Sequence, residues 1–175
     1  IMAVAKAPGS CELNKLLNRD WAVQVKGVGE LPAKWIFVRG LDSVAVNIET
    51  SAVDSSDIDS QGWESQEKTS RKLTISLSGK HSVKGEEKQL EPSQKLIRDT
   101  GIELGKAGKI DVRVWRTDGT DEGWECTATN MYSTESGDAN GLRQWTANLQ
   151  SACAPKRIKP VDETKVTAAS EDPES

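Results

Sequence analysis

Histidine is almost missing from this chain. Its 175 residues include one, His81, and the chemistries that need several imidazoles go with the rest. Histidine-rich metal sites are excluded, and a nucleophilic triad would have to use His81, which lies in the polar, charged turn region SGKHSVKGEEK. Cysteine is scarce too: Cys11, Cys126 and Cys153 are odd in number and lack metal-ligand spacing. They read as reduced thiols acting as small buried hydrophobes. No G-x-S-x-G elbow, phosphate-cradling glycine loop or thiolate pair appears. Carboxylates abound, but nothing marks out a glycosidase-type pair. No catalytic residue, cofactor or metal is expected. No apolar run approaches the ~20 residues of a membrane-spanning helix, and the first residues lack the basic and apolar regions of a secretory signal. Positive charge is not in excess either. The net charge is −4, and Asp162, Glu163, Glu171, Asp172 and Glu174, set against Lys165 alone, account for all of it. Residues 1–160 are therefore neutral overall, with no basic footprint for gripping nucleic acid or anionic lipid.

What is present is strand. WAVQV puts Trp21, Val23 and Val25 on one face, and KWIFVRG follows a Gly/Pro turn. VAVNI alternates Val44, Val46 and Ile48, and KLTISLSG alternates Leu73, Ile75 and Leu77 with Thr74, Ser76 and Ser78. KIDVRVWRTDG and GWECTATNMY flank a turn at Asp118–Gly123, which predicts a hairpin. RQWTANLQSAC supplies Trp145, Ala147, Leu149 and Cys153 to one side. Short strands with turn signals between them predict a β-sandwich or barrel. One segment has another period. Pro92 opens a helix over about 92–104, with Leu96, Ile97, Thr100 and Leu104 along one stripe and Gly105 and Gly108 as its stop. This short helix is expected to cap an open side of the sandwich. Residues 1–20 are mostly irregular, with Leu13, Leu16 and Leu17 as a single helical turn, and residues 155–175 are proline-rich and acidic.

The stretch DSSDIDSQGWESQEKTSRKLTISLSG is the least ordinary. Glu49, Asp54, Asp57, Asp59, Glu64 and Glu67 follow one another without a base, and Lys68, Arg71 and Lys72 come next. Asp57, Asp59, Gln61 and Gly62 fit the early positions of a calcium-binding EF-hand loop, but Lys68 stands where its closing glutamate must be. Of the six tryptophans, Trp21, Trp124 and Trp145 fall on the apolar side of their strands, whereas Trp63 and Trp115 are the surface candidates. A sugar-stacking module would use those two. The strands' other faces, Thr74, Ser76, Ser78, Thr127, Thr129, Thr146, Asn148 and Gln150, are polar and uncharged. They suit the wet face of a sandwich or the wall of an aqueous channel, and composition does not separate the two.

In motif order the chain resembles the major tail tube proteins of long, non-contractile-tailed bacteriophages, especially those of actinobacterial hosts. The likeness runs from Trp21 to Cys153: WAVQV, WIFVRGLDSV, the acidic signature with Asp59–Trp63 at its heart, LEPSQKLIRDTGIELGKAGKIDVRVWRTDG, and a threonine-rich strand. The resemblance implies a mainly β fold, a β-sandwich like that of tail tubes and the type VI secretion tube, with one flanking α-helix and extended arms. The expected layout is an N-terminal arm at 1–20, a sandwich domain at 21–154 with a long acidic loop over 49–71, and a C-terminal arm at 155–175. It also implies hexameric rings of identical subunits stacked into a tube, a channel through which DNA passes without specific binding, and no catalytic site. Tape measure, tail terminator and tip proteins would be further partners. The place would be the virion tail, assembled in the host cytoplasm. Asp54, Asp57, Asp59, Trp63, Glu64, Glu67, Lys68 and Arg71 would then form an inter-subunit loop, and the eight polar strand residues would face the channel. A phage-derived secretion tube and a monomeric sugar-binding sandwich are the alternatives.

Overall fold

A computed structural model describes residues 3–6, 13–15, 20–29, 34–81, 83–84, 89–136 and 139–161. Cys11, the expected turn at Leu16 and Leu17, and the acidic segment 162–175 lie outside them. The described part of the first arm, residues 3–6 and 13–15, carries no helix or strand and is exposed.

The strands are β1 (Trp21–Gly27), β2 (Ile36–Phe37), β3 (Leu41–Asp54), β4 (Gln66–Lys80), β5 (Val83–Lys84) and β6 (Gln89–Leu90). Helix α1 (Pro92–Gly101) follows, then β7 (Lys109–Arg116), β8 (Gly123–Ser136), β9 (Gln144–Ser151) and β10 (Lys156–Arg157). The main sheet runs β2-β1-β7-β8-β9-β4-β3, with β10 added beside β8, and every pairing is antiparallel. The fold is mainly β with one flanking helix, as the sequence predicts. The two layers of the sandwich are parts of one continuous sheet. The first half of β8 pairs with β7 and its second half with β9, so this one strand belongs to both. The apolar sides of the two halves meet in a single cluster, with Val23, Val25, Val112 and Val114 from one and Leu73, Ile75, Leu77, Trp145 and Leu149 from the other. Lys156 and Arg157 pair with Glu125 and Trp124, so the sheet extends beyond Ala154 into what reads as the C-terminal arm.

The helix is shorter than its periodicity suggests. Pro92 takes its first turn, and the Glu91 carboxylate accepts the Ser93 N–H at 3.1 Å as its cap. The helix ends at Gly101, where a Cβ would collide with Tyr132 of β8. Leu104 therefore falls outside the helix and is 89% exposed, whereas Ile97 is fully buried. Buried polar groups dock the helix as well. The Gln94 side-chain amide donates to the carbonyls of Arg39 and Lys80 at 3.0 and 2.9 Å, and that of Asn130 donates to the Ile97 carbonyl at 2.7 Å. These bonds give the buried amide nitrogens of Gln94 and Asn130 their acceptors.

Three further expectations are corrected. Trp115 is buried, because Phe37 packs its ring edge-on at 5.9 Å between centroids. Cys126 is buried but Cys153 is exposed, since β9 ends at Ser151 and the chain turns away before Cys153 reaches the core. The long acidic loop is mostly strand: Glu49–Asp54 belongs to β3 and Gln66–Arg71 to β4, leaving residues 55–65 as the turn.

Candidate functional site

The β3–β4 hairpin is the first candidate surface. Inside the body β4 is flanked on both sides, by β3 and by β9. Strand β9 stops at Ser151, whose hydroxyl accepts the Leu73 N–H at 3.1 Å, and from Lys72 outward β4 pairs with β3 alone. The ladder nevertheless continues to Asp54 opposite Gln66, with a bulge between Ser51 and Ala52. Residues 47–59 and 61–72 are all exposed. A two-stranded ribbon wet on both faces has little burial to hold it, so its order rests on the ladder and on local hydrogen bonds.

The tip supplies such bonds. The Ser55 N–H donates to the Ser65 carbonyl at 2.8 Å, the two hydroxyls meet at 2.9 Å, and the Ser65 N–H donates to the Ser56 hydroxyl at 2.7 Å. Asp54 accepts the Ser56 N–H at 2.8 Å. Hydrogen bonds from Ser56, its hydroxyl first, hold the Asp54 carboxyl below the usual carboxylate range. A 3-10 turn at Ile58–Ser60 leads into Gln61 and Gly62, both at positive φ (53° and 83°), which reverse the chain ahead of Trp63. Trp63 is 81% exposed and Ile58 completely so. The tip thus presents two large apolar side chains among Asp54, Asp57, Asp59 and Glu64. Sequence reasoning singled out Trp63 and the carboxylates and passed over Ile58, whose position inside DSSDIDS was the available signal. Glu67, Lys68 and Arg71 lie not at the tip but along the ribbon, in β4. Among the described residues no cluster of three or more acidic, cysteine or histidine side chains is arranged to hold a metal ion.

The second candidate surface is the outer face of the sheet. The register sets Thr74 beside Gln150, Ser76 beside Asn148 and Ser78 beside Thr146, while Gln150 also faces Thr129 across β8. Thr127 lies two residues before Thr129 on the same side of β8. All eight residues named from the sequence therefore share one face, and all are half-buried or exposed. The same face continues onto β3, where Ser43, Ala45 and Asn47 pair with Ser78, Ser76 and Thr74. Ser133, opposite Thr146, extends it on β8, where Met131 is a large apolar intrusion. The VAVNI alternation reads as a strand from the sequence, and it carried the signal that Ser43 and Asn47, on the side opposite Val44 and Val46, belong to this polar face.

Charges on this face are gathered at its β1–β7 side, and Lys26, Asp111 and Arg113 among them are partnered. Lys26 and Asp111 meet at 3.0 Å, and Asp111 accepts the Thr127 hydroxyl at 2.6 Å. Arg113 donates to the Gln24 side-chain carbonyl at 2.6 Å and lies 4.4 Å from the Trp35 ring centre. Burial lowers the Arg113 pKa, partly offset by Glu125. Across β8, β9, β4 and β3 the face is neutral from the Glu49–Lys72 pair to Lys80. Such a surface offers hydrogen bonds to water and no concentrated field to hold a polyanion.

No protein-family model matches the chain, and no curated protein matches it by sequence. Solved structures do match in fold. The chain superposes on a subunit of the SPP1 tail tube with a TM-score of 0.63 at 12% identity, covering 91% of this chain and 88% of that one. A chain of the virion of the native gene transfer agent particle gives a TM-score of 0.58 at 17% identity, over 82% of this chain and 99% of that one. A chain of the anti-feeding prophage baseplate gives 0.55 at 9% identity, over 83% and 97%. The β-sheet with its flanking helix is thus a fold similar to that of phage tail tube subunits.

Proposed function

We propose that this chain is a structural subunit of a virion tail tube, of the long non-contractile phage type, and not an enzyme. Identical copies form hexameric rings, the rings stack into a tube, and DNA passes through its lumen during ejection. The observation that carries this reading is the neutral polar face that runs unbroken from β8 through β9 and β4 to β3, on a fold similar to a tail tube subunit's. Lining a channel with threonine, serine, asparagine and glutamine leaves a wet wall to which phosphate has no reason to adhere, whereas a basic lining would trap it. The face belongs to a sheet whose outer strand, β3, has an open edge. Ring contacts between copies would cover such an edge, which a lone soluble sheet has to protect.

In this reading the hairpin and the two arms hold neighbouring subunits, and tape measure, terminator and tip proteins set the length and ends of the tube. It would be assembled in the host cytoplasm and carried in the virion. A sugar-binding role loses one of its two platforms, because Trp115 is buried, and Trp63 stands on a protruding turn and not in a cleft. Purified protein is expected to form rings or tubes with a sixfold end view by negative-stain electron microscopy. A protein that remains monomeric by size-exclusion chromatography at every concentration, and adds to no tail tip, would overturn the proposal.

A further inference from the structure

Where the hairpin leaves the body, an open groove of about 570 Å³ separates it from β10. Its apolar lining includes Ile48, Leu73 and Trp124, and its charged lining comes from Arg71, Lys72 and Arg157, with no carboxylate. Lys72 is engaged by Glu49 at 3.1 Å, and Arg157 lies 5.9 Å from the centre of the Trp124 ring. A half-open apolar groove edged with positive charge fits an apolar knob set among carboxylates.

The chain itself carries such a knob: the exposed Trp63 and Ile58, flanked by Asp59 and Glu64. It cannot fill its own groove. Between Ile48 and Asp54 the strand spans about 20 Å, and the ladder stays paired to Asp54 and Gln66. Folding back would break those pairs.

We propose that the groove receives the hairpin tip of a second copy of this chain. Trp63 packs against Leu73 and Trp124, and Asp59 and Glu64 face Arg71 and Arg157. The inference rests on the tube-subunit reading and deepens it by naming what the hairpin binds. Donor and acceptor surfaces differ, so the contact is heterologous. Each copy that gives a tip still offers a groove, and the contact repeats from subunit to subunit.

Cys153 lines the groove and is an exposed free thiol, so the test is partly built in. Cys126 does not compete, since burial first, and then Asp111, push its thiol up to about 11. In a Cys11→Ser background, Ile58→Cys tubes treated with a mild oxidant are expected to give a ladder of covalent oligomers on denaturing gels. Adding Cys153→Ser should abolish the ladder. In parallel, Asp59→Lys with Glu64→Lys, or Arg71→Glu with Arg157→Glu, should each cut tube yield about tenfold, and the two sets combined should recover most of it. Normal tubes without a ladder, or a ladder that needs a cysteine at Leu104 on the helix side instead, would place the tip elsewhere and overturn the groove assignment while the tube reading stands. A wild-type protein that forms neither rings nor tubes would remove the tube reading, and this inference with it.

Discussion

The two halves of β4 are one strand with two environments. From Leu73 to Lys80, Leu73, Ile75, Leu77 and Gly79 are buried while the residues between them are half-buried. From Gln66 to Lys72 every residue is exposed. Pairing with β3 runs along both, interrupted in the outer half by the bulge between Ser51 and Ala52. What differs is company: the inner half has β9 on its other side and the core beneath it, and the outer half has neither. The backbone ladder and local hydrogen bonds therefore hold the outer half in place. A ribbon with no apolar side of its own, ending in Trp63 and Ile58, has a shape suited to being completed by another molecule.

The largest expected difference between the halves is in monomer stability. Ile75 is fully buried between Val46 and Leu149. Ile75→Ala should lower unfolding free energy by about 2–5 kcal/mol through lost burial and the cavity left behind. Val53, 53% exposed on the outer half of β3, should cost no more than about 0.5 kcal/mol when changed to alanine. Urea denaturation of the monomer measures both. Equal losses would mean that the outer ribbon packs against the body after all, and the contrast between the halves would collapse.

Trp63→Ala sharpens the same contrast by reversing it. The side chain is 81% exposed, so the monomer's unfolding midpoint should not move. Assembly should suffer, since truncating an aromatic anchor at an interface typically costs about 2–4 kcal/mol. The critical concentration for tube formation, read by sedimentation, should rise at least tenfold. An unchanged critical concentration would make the hairpin tip ordinary surface.

How far the sequence could be read follows the same division. Where one face is buried and the other wet, period-two alternation announces the strand, and β4's inner half, β7, β8 and β9 were all legible for that reason. The polar channel candidates were legible with them, because fixing the apolar face fixes its complement. The outer hairpin was not, since ETSAVD and QEKTSRK bury nothing and so show no alternation to read. Trp115 was misplaced because its parity is that of the wet face. Only the fold brings Phe37, from a two-residue strand paired to β1, against it. The helix end was overextended because Leu104 continues the stripe, and the Tyr132 contact that needs Gly101 is a tertiary fact. The groove joins β3, β4, β8 and the segment leading into β10, far apart in sequence, and no local pattern could announce it.

The smallest effect lies at the boundary between the halves. Glu49 and Lys72 are direct cross-strand neighbours, with their charges 3.1 Å apart and both side chains about half exposed. A pair so open to water gains little Coulomb energy and orders two long side chains, so Lys72→Ala should cost the monomer at most about 1 kcal/mol. That cost should shrink in salt, because the Debye length falls from about 10 Å at 0.1 M to about 3 Å at 1 M. Amide exchange locates the effect. In the variant, protection should fall at Thr50 and Arg71, one step outward, and stay unchanged at Val46 and Ile75, which the core holds. Exchange that quickens equally on both sides of the pair would show the ladder opening as one unit. The boundary at Lys72 would then be one of burial alone, not of stability.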